Sequence, residues 1–279
     1  MPFADRHELD YDANERWLRE TGWKLPDVAD EEIVAVTSAW LGELAGGRED
    51  PVKVAIDISS MSRVRIGAVI QALLSLPADA RAQVDLLYTP AEFETGRGRN
   101  DPQVFEVGPV SRYFAGWWTN LSAPLVAVIG VGYEREMAAS AIDKLEPAGT
   151  IVFASAAAGE DVRYANEVAS ANQALLDAGK ESTPVLRYDL ADPSGCFYLL
   201  ESTLARLERH FRVVMVPLGP KIFAACAMLA SALHPQSSQV IRVSAGEREK
   251  GLNRESDGNL CGLRVVVMPE PIGRRAAAD

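Results

Sequence analysis

The sequence is poor in the residues that build metal centres and disulfide frameworks. Its three histidines, His7, His210 and His234, stand far apart with no HxH or HxxxH pair, so a zinc or iron site is not expected. Its three cysteines, Cys196, Cys226 and Cys261, lack CxxC spacing and cannot all pair, which reads as buried or incidental thiols in a reducing compartment. Cations are scarce beside acids: 28 Lys and Arg against 39 Asp and Glu, a net charge of −11. That balance excludes broad binding to nucleic-acid backbones and to anionic membranes, because both need a large cationic field. A local basic pocket for a small anion stays open. Long apolar runs are missing too. The longest, Ile222 to Leu233, has about 12 residues, too few to span a bilayer, and the polar opening Met1 to Asp10 has no signal-peptide character. A soluble, cytoplasmic protein is expected, with no cofactor.

What is present is a core. The chain has 279 residues with 48% hydrophobic content, ample for one large core or two modest ones. After a polar helical opening (apolar positions at Trp17 and Leu18), a second helix is expected over Asp30 to Leu44, with Asp30 as its N-cap. That opening has no strand before its helix, so the first half is expected to be truncated or completed by a partner. A β-branched run, Val52 to Ile58, then a helix from Ser62 to Leu76 and a strand from Val84 to Tyr88 make one β-α-β unit with parallel strands. Residues 92–120 read as an irregular connection ending in the aromatic cluster Tyr113, Phe114, Trp117 and Trp118.

Beyond it, apolar strands alternate with helices. Strands are expected at Leu125 to Val131, Thr150 to Ala154, Pro184 to Tyr188, Phe211 to Pro217 and Val240 to Val243. The helices between them are Glu134 to Leu145, Val162 to Ala178, Ser194 to His210 and Lys221 to Leu233. This pattern means a parallel sheet covered on both faces. The tail, Leu263 to Met268, reads as a last strand, able to fold back antiparallel on 240–243. The fold class is therefore α/β: a Rossmann-like parallel sheet with helices on both faces over residues 121–279, preceded by a smaller α/β domain over 1–120.

In such sheets ligands bind outside the carboxyl ends of the strands, above all at a topological switch point. Three turns there carry chemistry. Asp57-Ile58-Ser59-Ser60-Met61-Ser62-Arg63 offers hydroxyls and helix-terminal N–H groups to an anion, with Arg63 and Arg65 adding charge. Helix capping by one serine is the plainer alternative. Asp57 as a phosphotransfer nucleophile lacks the second acid two residues on, where Ser59 stands. Ile129-Gly130-Val131-Gly132-Tyr133 permits close backbone approach, yet Arg135 occupies the third glycine of a dinucleotide fingerprint, which disfavours an NAD enzyme. Pro217-Leu218-Gly219-Pro220-Lys221 puts a lysine where it can reach back toward a phosphate, or where it merely snorkels from a buried helix. No nucleophilic triad emerges, and His234 reads as a helix C-cap.

The turns Gly130-Val131-Gly132-Tyr133 and Gly219-Pro220-Lys221, with the final pair of strands, resemble the CARF-type (CRISPR-associated Rossmann fold) nucleotide sensors and related bacterial defence proteins. The resemblance covers roughly residues 121–270 and departs at Pro220, where the family commonly has a Gly-Thr-Lys type turn. It implies that Gly130, Gly132, Tyr133, Ser155, Gly219 and Lys221 line a pocket for a nucleotide, cyclic or oligomeric, formed across a homodimer. The turn with Asp57, Ser59, Ser60 and Arg63 would complete that pocket within one chain instead. The expected function is a nucleotide-sensing or regulatory protein with a protein partner or a second copy. A nucleotide hydrolase or transferase using Asp57, and a ligand-free scaffold docking through its aromatic cluster, are the alternatives.

Overall fold

The computed structural model describes residues 10–22, 28–29, 32–46, 50–92, 106–132, 137–156, 162–178, 183–244 and 255–268. Helices α1 (Tyr11–Glu20) and α2 (Ile33–Ala45) precede strand β1 (Val52–Asp57). Glu32 occupies the N-cap position of α2, and the expected cap Asp30 lies outside the described residues. Helix α3 (Arg63–Leu74) begins where Ser62 Oγ accepts the N–H of Arg65 at 3.2 Å, a side-chain cap for one orphan donor of the first turn. Strand β2 (Ala82–Tyr88) returns parallel to β1, with Val54 opposite Val84 and Ile56 opposite Leu86.

The second half supplies β4 (Leu125–Gly130), α4 (Met137–Leu145), β5 (Gly149–Ser155), α5 (Val162–Ala171), α6 (Gln173–Ala178) and β6 (Val185–Tyr188). It continues with α7 (Pro193–Leu207), β7 (Arg212–Pro217), α8 (Lys221–Leu233) and β8 (Ser238–Ser244). These strands lie in the order β8-β7-β4-β5-β6, all parallel. The chain starts in the middle, fills one side, then crosses back to fill the other. That reversal puts the switch point between β4 and β7, and the fold is the Rossmann-like α/β sheet expected from the alternating pattern.

Three details differ from the sequence reading. The segment read as irregular contains β3 (Glu106–Pro109), antiparallel to β8 at the edge of the now six-stranded sheet. It is short and contains Gly108 and Pro109, which hides a strand signal yet is tolerated at a sheet edge. Because β3 takes that edge, the last strand, β9 (Cys261–Val267), does not fold back on β8. It pairs antiparallel with β2 in a three-stranded sheet, with Leu263 opposite Leu86 and Val265 opposite Val84. Each sheet thus takes one strand from the other side of residue 120. Finally, the helix expected over 162–178 divides at Asn172. Its amide donates to the carbonyls of Gly132 (2.7 Å) and Val168 (2.8 Å), the kind of side-chain-to-backbone bond that competes with a continuous helix.

The core explains the longest apolar run. Residues Ile222 to Ser231 of α8 are all buried, because the helix lies between the two sheets. One cluster joins Ile56, Val84, Leu86 and Leu263 of the small sheet to Val128, Phe153 and Met215 of the large one through α8. The opposite face of the large sheet packs Ala127, Ile129, Val152 and Val214 on Ala138 and Ala141 of α4 and Val168 of α5. Among the described residues no helix is long and apolar enough to cross a membrane, and no three His, Cys, Asp or Glu side chains gather as metal ligands.

Candidate functional site

At the switch point β4 and β7 stay paired to Gly130 and Pro217, and the turns that follow them are stitched together. The N–H groups of Leu218 and Gly219 both donate to the carbonyl of Gly130, at 2.9 and 3.0 Å. Gly219 fits closely: a Cβ there would stand 3.0 Å from the Val131 carbonyl oxygen and 3.4 Å from the Tyr188 hydroxyl. Gly130 is required. A Cβ there would stand 2.0 Å from the nearest atom of the Phe223 ring, so the space it leaves is filled by α8. Gly132 offers its carbonyl to Asn172. Tyr133 lies outside the described residues.

The Asp57 turn reaches this point from the other sheet, because α3 packs against α8. Asp57 is exposed and uses Oδ1 to accept the N–H of Ser59 at 2.8 Å, which closes a local turn. Ser59 in turn accepts the N–H of Thr89 on its Oγ at 2.8 Å, so that hydroxyl ties β1's turn to β2's. Ser60 is exposed, and Arg65 is buried at 4% exposure.

Two cations then cross between the turns in opposite directions. The Arg63 guanidinium donates to the carbonyls of Leu218 (2.7 Å) and Gly219 (3.2 Å). The Lys221 ammonium donates to the carbonyl of Ser59. Arg63, Lys221, Ser59 and Gly219 are therefore brought together, while Asp57 and Ser60 stay at the solvent side of their turn. The crossing thus gathers one guanidinium and one ammonium beside the exposed Asp57 carboxylate of the same turn.

Below the crossing sit two hydroxyls. Ser155 ends β5 and Tyr188 ends β6, opposite each other in the parallel register. Both are buried, at 2% and 4% exposure, and neither hydroxyl has a hydrogen-bond partner among the described residues. The Tyr188 ring stacks on Phe223 at 5.0 Å between centroids, which aims its hydroxyl at the Gly219 turn. Burial pushes the Tyr188 phenol well above its ordinary pKa, so it stays a neutral donor.

Sequence reasoning named Ser155 and missed Tyr188. Attention to glycines and cations in turns passes over an aromatic at a strand's end. The available signal was its position, the carboxyl terminus of a parallel strand, where open α/β sheets generally bind ligands. At the opposite end of the sheet His234 does end α8, and its Nδ1 stands 2.7 Å from Glu208. The aromatic cluster is split: Phe114 is buried, Trp118 carries the Arg212 guanidinium at 4.8 Å, and Trp117 is 73% exposed.

No protein-family model matches the chain, and no curated protein matches it.

Proposed function

We propose that this chain is a sensor of a phosphate-bearing small molecule, a nucleotide, held at the switch point between the Asp57 and Gly219 turns. The observation that carries the reading is the paired crossing of Arg63 and Lys221 over the carboxyl ends of β4 and β7. Each cation donates to a main-chain carbonyl of the facing turn. A phosphate is a stronger acceptor for a guanidinium fork and an ammonium, and it would draw both toward itself. Binding at one point would then be felt by both sheets, because each cation links the two. Asp57 is occupied by its own turn, which favours a sensor over an enzyme built on that carboxylate. A prokaryotic defence or signalling setting in the cytoplasm, with a second copy or protein partner as the receiver, follows from the resemblance of the turns alone.

The test is a thermal-shift and calorimetric screen of mono-, di- and cyclic nucleotides on the wild type and on Lys221→Ala. A saturable shift is expected for at least one nucleotide class, recovered chemically intact, with affinity falling roughly 10- to 100-fold in the variant for loss of a charged hydrogen bond. Unchanged affinity in Lys221→Ala overturns the assigned role.

A further inference from the structure

An unpartnered buried hydroxyl is unfavourable, because it has left water without gaining a replacement bond. Two of them at the ends of adjacent strands, one against the Gly219 turn that Arg63 holds, call for a shared partner. We infer that Ser155 and Tyr188 form a second subsite, inward of the Arg63 and Lys221 crossing, that takes the uncharged, hydroxyl-bearing part of the ligand, the sugar of a nucleotide. This rests on the reading above and adds to it.

The chemistry of the subsite selects the moiety. Each hydroxyl both donates and accepts, so the pair matches a group that does the same, such as a vicinal diol. A phosphate is a poor fit there: Ser155 and Tyr188 are 2% and 4% exposed, and an anion in so dry a place needs a cation beside it. The cations lie one layer out, on the Gly219 turn and the Ser59 turn. The ligand is therefore oriented, charge outward on Arg63 and Lys221, neutral hydroxyls inward on Ser155 and Tyr188. The turn that covers the Tyr188 hydroxyl is the one whose carbonyls Arg63 holds.

The experiment uses inorganic triphosphate and the four nucleoside triphosphates as probes, on the wild type, Tyr188→Phe, Ser155→Ala and Lys221→Ala. In the wild type at least one nucleoside triphosphate binds more tightly than inorganic triphosphate. Tyr188→Phe and Ser155→Ala each weaken that nucleotide by about 3- to 10-fold, leave triphosphate unchanged, and raise the Tm of the free protein by about 2–4 °C as the unpaired hydroxyl is removed. A fall in Tm for Tyr188→Phe would mean the hydroxyl has a structural partner, and the subsite is overturned. Nucleotide affinity that depends on Lys221 but on neither hydroxyl overturns the subsite while leaving the phosphate site standing. If neither triphosphate nor any nucleotide binds, both readings fall together.

Discussion

The two sheets are built from similar β-branched strands and sit in opposite environments. In the six-stranded sheet β4 and β7 are buried along nearly their whole length, with helices on both faces. In the three-stranded sheet β1 alternates, Val54 and Ile56 turned toward α8 while Lys53, Ala55 and Asp57 are exposed. A parallel pair with one bare face departs from the usual rule that parallel sheets are covered on both sides. The antiparallel edge strand β9 makes this workable, because it lets the small sheet behave like a half-solvated antiparallel one. The contrast teaches that one hydrophobic layer, α8, serves both sheets, and that Lys221 at its start and Arg63 at the start of α3 join the turns on either side of it.

The largest expected effect compares the same truncation in the two sheets. Val128→Ala deletes two methyl groups at 1% exposure between packed layers and should destabilise by about 2–3 kcal/mol, transfer and cavity contributions together. Val54→Ala, half-buried on β1, should lose about 1 kcal/mol or less. Urea denaturation of both variants decides it, and equal losses would mean that the small sheet is as deeply packed as the large one.

That same contrast governs what the sequence disclosed. Strands covered on both faces write continuous apolar runs, so β4 and β7 could be read directly, and so could the helices between them. The four-residue β3 wrote nothing legible, because pairing at an edge needs only backbone and its Gly108 and Pro109 look like loop. The partner of β9 was misread for a related reason. Alternation of Leu263 and Val265 fixes which face is buried, not which strand lies alongside, and the edge of β8 was already taken. Of the residues brought together at the candidate site, Arg63, Gly219 and Lys221 stood out in the sequence by charge and turn chemistry. Tyr188 was invisible because its meaning comes from Ser155 on the next strand and Gly219 in a distant turn.

A smaller effect probes the link between the sheets. In Lys221→Ala the Ser59 carbonyl loses its cationic donor, and hydrogen exchange should show β1 and β2 opening more easily by about 1–2 kcal/mol. Amides of β4 and β5, held by layers on both faces, should keep their protection. A uniform loss across both sheets would mean the crossing supports global stability and does not couple one unit to another.

The smallest effect lies on the bare face of the small sheet, where the Arg264 guanidinium grips Asp85 through Nε at 2.7 Å and a terminal nitrogen at 3.0 Å. That hydrogen bond, with the guanidinium charge behind it, holds the Asp85 carboxyl below its ordinary pKa. For an acid with a depressed folded-state value, the stabilisation is present above the unfolded-state value and is lost as pH falls through the depressed one. Arg264 is 61% exposed, so water and salt screen most of the attraction. Arg264→Ala should therefore lower Tm by no more than about 2 °C at neutral pH. The gap from wild type should narrow in high salt and close in acid as Asp85 takes up its proton. A gap of many degrees, or one that widens as pH falls, would mean that this face is not open to solvent and that something covers it as helices cover the larger sheet.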